Sequence, residues 1–283
     1  MGVHESQSLI WERMIFQSRP FWSFATKKFH GFFPHTEGVS EEEFYRCVNR
    51  VQPDLIRVEA DGEEGREGGR ESREGENAIW RFFVRQNIRL PLINPPPFPP
   101  SLPPSIAEVT YPLHIILRFE LEQALLDGSL LPPALPEAWN ARMKSLLNVD
   151  VVKDEGRREG GVEGKGNAKG CLQDVHWAVG ALGYFPSYTL GAMMAAQLYA
   201  QAKTEIENLE GEIEKGHFKV LREWLREKVH VRGSVCESMD ELLMSVTGEP
   251  LNPTYFVNYL KEKYGELYEL EKEGGKDDCE EWE

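Results

Sequence analysis

The sequence predicts an all-α, mainly helical protein, and three observations carry that reading. Apolar residues recur at three- and four-residue spacing in one segment after another. Serine, asparagine and glycine stand where those segments would start and stop. No long stretch alternates apolar and polar residues with the period of two that a half-buried strand needs. No repeat of fixed period is present.

The elements follow in order. His4 to Phe24 carries Leu9, Trp11, Met14, Phe16, Phe21 and Trp22 and reads as one helix with no clear cap before it. Ser40 and Glu43 form a capping box, with Phe44, Cys47, Val48 and Val51 behind it at helical spacing. Leu55 to Asp61 is short and mixed, a strand or a turn. Tyr111 to Asp127 has an apolar face of Leu113, Leu117, Leu121, Ala124 and Leu125, and Gly128 is its stop. Pro136 to Asn148 is amphipathic, and Tyr188 to Glu205 is long and rich in alanine and methionine. Met193, Met194, Leu198 and Tyr199 lie at helical spacing and read as core. His217 to His230 puts Phe218, Leu221, Trp224 and Leu225 on one face. Ser238 caps a helix ending near Gly248. Asn252-Pro253 is an N-cap with proline at the first helical position, ahead of Phe256, Tyr259, Leu260 and Tyr264. The tail from Glu271 is acidic and reads as frayed.

Composition sets limits on function. The 283 residues are 41% hydrophobic and 28% charged, as in a soluble globular protein with a sizeable core. A net charge of -15 argues against a nucleic-acid surface, which needs a basic stripe, and modestly favours cationic substrates. Cys47, Cys171, Cys236 and Cys279 form no C-x-x-C pair, so a disulfide framework or a cysteine zinc site is not expected and a reducing, cytoplasmic setting is. Met1 to Ser8 holds no apolar signal region. No uncharged apolar run reaches the roughly 18 residues of a membrane span.

Two segments break the pattern. Gly62 to Ala107 opens rich in Gly, Glu and Arg, which cannot bury a core, and ends rich in proline, which cannot continue a helix. Gly156 to Gly166 is a smaller copy of the first composition. Both read as disordered surface insertions, tolerated because loop closure grows costly only slowly with length. Purine runs can encode Gly, Glu and Arg, and pyrimidine runs can encode Pro, Phe, Leu and Ser. The first segment therefore also reads as a retained, translated intron.

Three motifs carry chemistry. They are His4-Glu5-Ser6-Gln7-Ser8, Ile56-Arg57-Val58-Glu59-Ala60-Asp61, and Gly170-Cys171-Leu172-Gln173-Asp174-Val175-His176-Trp177. In this order they resemble the thermostable carboxypeptidase Taq family of zinc metallocarboxypeptidases. Gly183-Tyr184-Phe185-Pro186-Ser187-Tyr188-Thr189-Leu190-Gly191 and Gly248-Glu249-Pro250-Leu251 are similar to it as well. The resemblance covers nearly all of the chain outside the two odd segments, and removing Gly62–Ala107 joins Asp61 to Glu108 as the family reads there. It implies that 1–61 and 108–283 form the C-terminal part of one metallocarboxypeptidase body, with one wall of a zincin-like groove. It also implies a homodimer, and peptides with a free C-terminus as substrates.

Zinc peptidases need three protein ligands, a base beside the metal-bound water and a donor for the developing oxyanion. In zincins two ligands and the base come from H-E-x-x-H, and the sequence contains none. The resemblance implies Glu5 as the third ligand of zinc, or of another divalent metal such as cobalt. Taken alone, Glu5 reads as a surface carboxylate. The resemblance assigns Arg57 to the substrate carboxylate, which suits its bidentate fork; a structural ion pair is the competing reading. Asp61 and His4 would support the metal site from behind, although Asp61 also reads as a cap or turn residue. His176 could donate to the oxyanion or to the substrate carboxylate, with Gln173 and Asp174 as orienting partners; beside Trp177 it also reads as a core histidine. Tyr188 carries a phenol that could donate to a tetrahedral intermediate. Two functions follow: a metallocarboxypeptidase whose H-E-x-x-H helix is missing from this chain, or an inactive fragment or truncated paralogue that at most dimerises.

Overall fold

The computed structural model describes residues 2–51, 108–151, 170–233 and 235–270. The segments 62–107 and 156–166, the stretch Leu55–Asp61 with Arg57 and Asp61, and the acidic tail lie outside them. The described residues form helices and turns and contain no strand, as the sequence predicts.

The N-terminal expectation of one helix over His4–Phe24 needs correction. Helix α1, Gly2–Leu9, runs into a π-helical stretch, Ile10–Phe16, and the chain then breaks. Ser18 accepts the Phe21 amide and Pro20 sits in the first turn, so a new helix α2, Arg19–Phe32, starts there. Helix α3, Glu41–Val48, opens on the capping box: the Glu43 amide donates to Ser40 Oγ at 3.2 Å, and the Ser40 amide donates to Glu43 at 2.8 Å.

Helices α4, Tyr111–Leu126, and α5, Leu135–Leu147, form a hairpin. It closes over Leu117, Leu121, Trp139, Met143 and Leu147, with Cys171 and Trp177 from the following loop. The remaining helices are α6, Pro186–Glu205; α7, Leu209–Glu214; α8, Lys219–Leu225 with a π-helical end, Arg226–His230; α9, Met239–Thr247; and α10, Thr254–Leu267. Ser238 caps α9, and Gly248 ends it at φ +83°. Asn252 Oδ1 accepts the Thr254 amide at 3.0 Å, so α10 begins one residue later than Pro253. The main core joins α1–α3 to α6–α10 around Ile10, Ile15, Trp22, Phe44, Met194, Leu198 and Leu243.

One polar knot sits inside that core. Lys263 Nζ donates to Glu108 Oε2 at 2.9 Å, and the Tyr259 and Tyr264 hydroxyls donate to the same oxygen at 3.1 and 3.2 Å. Lys263 and Glu108 are both buried. Burial drives Tyr259 and Tyr264 well above the ordinary phenol range and pulls Lys263 below the ordinary ammonium value.

Candidate functional site

The site forms where α1 lies along α6. Gly191 makes that approach close: a Cβ there would stand 2.6 Å from Glu5 Cβ and 3.2 Å from Gly2 O. This seam sets Glu5 beside the loop that leads into α6. The Tyr184 hydroxyl donates to Glu5 Oε1 at 2.7 Å. That bond, with burial and the charge of Glu5 adding to it, pushes Tyr184 up to about 12. Its proton is therefore held throughout the neutral range. His4, the next residue back along α1, is exposed.

Across this loop, His176 Nε2 and the Tyr188 hydroxyl are 2.9 Å apart. The imidazole centroid lies 4.4 Å from the Phe185 ring, 5.7 Å from Tyr184 and 5.9 Å from Tyr188. His176 is buried, and Tyr188 stands in the first turn of α6, which Pro186 opens. An imidazole and a phenol in contact can pass one proton between them and present a donor outward. Tyr184 and Tyr188 rings meet edge to face at 5.2 Å, so the His176–Tyr188 pair and the Glu5–Tyr184 pair adjoin.

Asp174 Oδ2 accepts from Arg118 Nε at 2.7 Å, and the Arg118 side chain is 1% exposed. Gln173 is fully buried. The structure thus gathers Glu5, Gln173, Asp174, His176 and Tyr188 around one loop. Arg57 and Asp61 lie outside the described residues.

Sequence reasoning missed Tyr184, Arg118 and Glu122. Glu122 Oε2 accepts the Trp177 indole N–H at 2.7 Å, and Glu122 Oε1 accepts the Gly183 amide. Gly183 makes that contact at φ +73°, a region that strains any other residue. A signal for Arg118 and Glu122 was present. His114, Arg118 and Glu122 repeat every four residues beside the apolar stripe of α4, and all three are buried.

Among the described residues no group of three or more His, Cys, Asp or Glu side chains could hold a metal ion. Glu5 is a single carboxylate and by itself does not make up a metal site.

A family model described as carboxypeptidase Taq (M32) metallopeptidase matches residues 1–63 and 106–264. Carboxypeptidase 1 of Bacillus subtilis is 34% identical over 271 residues, which cover 95% of this chain and 42% of that protein. Thermostable carboxypeptidase 1 of Thermus thermophilus is 35% identical over 268 residues, covering 95% and 41%. The solved M32 carboxypeptidase of Deinococcus radiodurans is 33% identical at a TM-score of 0.70, covering 95% of this chain and 42% of its own. Pyrococcus furiosus carboxypeptidase is 33% identical at a TM-score of 0.67, covering 93% and 41%. The chain therefore spans about two fifths of the length of these relatives.

Proposed function

This chain belongs to the carboxypeptidase Taq (M32) metallopeptidase family, and on that premise we propose that it supplies one wall of the site of a metallocarboxypeptidase that removes single residues from peptide C-termini. The observation that carries this reading is the meeting of two motifs far apart in the chain. Glu5 of the first and His176 of the third both face the Tyr184–Tyr188 turn.

In this reading Glu5 gives one carboxylate to a zinc or cobalt centre, and the remaining ligands come from outside the described residues. Bound there, the metal would supply Lewis-acid chemistry and an activated water. His4 and Asp61 support that centre as outer hydrogen-bond partners. This chain's own residues bind and orient the peptide. Arg57 holds the C-terminal carboxylate with its fork. Gln173 and Asp174 fix the loop that carries His176. Tyr188 and His176 share a proton and turn a donor toward the carbonyl oxygen under attack. Tyr184, held as a phenol, keeps the Glu5 carboxylate oriented. The assembly is a cytoplasmic homodimer. No helix among the described residues is long and apolar enough to cross a membrane.

The competing reading, an inactive module that at most dimerises, is favoured by one observation: the sequence has no H-E-x-x-H. One experiment separates the two. The chain is fused behind the part of a family relative that carries H-E-x-x-H and loaded with zinc or cobalt, and release of the last residue from an N-blocked dipeptide is followed. The expected result is turnover that is lost in Glu5→Gln and falls about 10²-fold or more in Tyr188→Phe. A fusion that folds and hydrolyses nothing, or whose turnover ignores both substitutions, would select the inactive module. Sedimentation of the same sample reads the dimer.

A further inference from the structure

We propose that Arg118 and Glu122 of α4 act together as a two-point clamp that positions His176, an assignment that rests on the functional reading of His176 given above. The two residues are four apart and so project from one face of the helix. Arg118 holds the entry of the loop: Nε donates to Asp174 Oδ2 at 2.7 Å. Its Nη1 donates to the His114 carbonyl at 2.8 Å, which ties the guanidinium to its own helix. Glu122 holds the middle and the exit of the loop, through the Trp177 indole at 2.7 Å and through the Gly183 amide. His176 falls between the two grips.

The clamp also sets the floor under the imidazole. Arg118 Cζ lies 4.7 Å from the Trp139 ring centroid and 5.6 Å from that of Phe185. Among the described residues Phe185 is the ring nearest His176, at 4.4 Å. One guanidinium therefore fixes both the backbone on one side of His176, through Asp174, and the aromatic surface against which its ring rests. The Ala181 amide donates to the His176 carbonyl at 2.8 Å, which closes the loop back on the residue being positioned.

Stability alone does not account for the Arg118–Asp174 ion pair in this place. Buried ion pairs seldom outperform well-packed apolar side chains of the same volume, because both ions must leave water. What they provide is direction. The Arg118 Nε–H and the Glu122 carboxylate define fixed directions at Asp174, Trp177 and Gly183, and apolar packing would leave the loop free to slide. In residues 170–185 ahead of α6, those three anchor points hold the peptide that carries the candidate donor.

The test is nuclear magnetic resonance of the full chain with labelled histidine and tryptophan, read without metal or peptide. Variants are Glu122→Gln, Arg118→Gln and Arg118→Lys. In Glu122→Gln the Trp177 indole proton should move upfield and exchange about tenfold faster, because a hydrogen bond to a charged acceptor is lost. In the same spectra the His176 side-chain nitrogens should shift and broaden. Arg118→Gln should displace the His176 signals further, and Arg118→Lys should restore them only in part. The Trp224 indole, bonded to Glu205 at 2.8 Å in the main core, reports that the fold is intact. Movement of Trp177 with His176 signals that superpose on the wild type would overturn the proposal, since the pair would then be merely structural. So would an unchanged Trp177. If Arg118→Gln fails to fold, the nearly isosteric Glu122→Gln decides alone. These signals do not depend on turnover, so a chain that hydrolyses nothing still answers the question.

Discussion

Gly191→Ala should loosen the seam on which the site depends. An alanine Cβ would lie 2.6 Å from Glu5 Cβ, 3.2 Å from Gly2 O and 3.2 Å from Ser6 N. Carbon atoms pack at about 3.5–4.0 Å, so α1 must move about 1 Å away from α6. The nearest atom sits at the root of the Glu5 side chain, and no rotamer change can relieve the contact. Overpacking of this kind costs about 1–3 kcal/mol. Alanine in place of glycine within a helix returns about 1 kcal/mol. The net loss is therefore about 0–2 kcal/mol, small enough that stability alone would not decide the matter. Gly265→Ala in α10 supplies the control, because a Cβ there would meet nothing within 4 Å; it should gain about 0.5–1 kcal/mol. Urea unfolding should thus order the variants with Gly265→Ala above wild type and Gly191→Ala below it. The second assay is ultraviolet titration of the phenols, read for Tyr184 as the difference between each protein and its Tyr184→Phe counterpart, because burial also makes Tyr199, Tyr259 and Tyr264 titrate late. Tyr184 is held up to about 12 chiefly by Glu5, so shifting α1 should return it toward the ordinary value near 10. A Gly191→Ala protein as stable as Gly265→Ala, with the late phenol titration intact, would refute the claim that this glycine sets the position of Glu5.

Three further outcomes are expected. Lys263→Met removes the ion-pair partner of the buried Glu108 carboxylate, leaving only the more distant Arg13 to offset its charge, and should lose about 3 kcal/mol in urea unfolding; the Glu108→Gln/Lys263→Met double variant should recover much of it, and additive losses would show that the two are uncoupled. Hydrogen bonds from Lys228, Gln201 and Trp224 hold Glu205 down to about 2. A folded value below the unfolded one gives stability that is present above about pH 4.5 and lost as pH falls through 2. Glu205→Gln should therefore cost about 1 kcal/mol near neutrality, screened because the pair is partly exposed, with the deficit fading toward pH 2; a deficit that is constant with pH would contradict this. Deletion of Gly62–Ala107, joining Asp61 to Glu108, should leave thermal unfolding unchanged or slightly raised, and collapse of the fold would show that the segment is not an insertion.

The helices were legible because their signals are local. The Ser40–Glu43 capping box, the Ser238 cap, the Gly248 stop and the buried run of Met194, Leu198 and Tyr199 each involve residues within a few positions of one another. The break at Gln17–Ser18 was local too, but the aromatic run across it masked the serine cap and the proline. The π-helical stretches carry no periodicity of their own, since each accommodates an extra residue within a longer helix. The site was legible only in part. The resemblance pointed to Glu5, His176 and Tyr188, and the last two lie twelve residues apart. The contacts that bind the site together, Glu5 to Tyr184, Arg118 to Asp174 and Glu122 to Gly183, span 179, 56 and 61 residues. No spacing rule reaches that far. The charged stripe on α4 was the one visible clue, and an apolar reading of that helix passed over it.

A separate set of long-range contacts ties down the chain on either side of the segment that lies outside the described residues. The described chain stops at Val51 and resumes at Glu108, and both flanks are held by one turn of α10 and its end. The Val51 amide donates to the Tyr268 hydroxyl at 2.8 Å, while Glu108 is gripped by Lys263 and Tyr264. The Tyr264 and Tyr268 rings stand 6.5 Å apart. The family model is matched up to residue 63 and again from residue 106, so the break in similarity falls between the same two anchors. Glu5 and His176 are joined through the α1–α6 seam and the loop held by α4, none of which passes through the intervening segment. The contacts that join Glu5, His176 and α4 are therefore all made by described residues, while Arg57 and Asp61 belong to the intervening segment, and the burial of Glu108 immediately behind it fixes the chain before α4 begins.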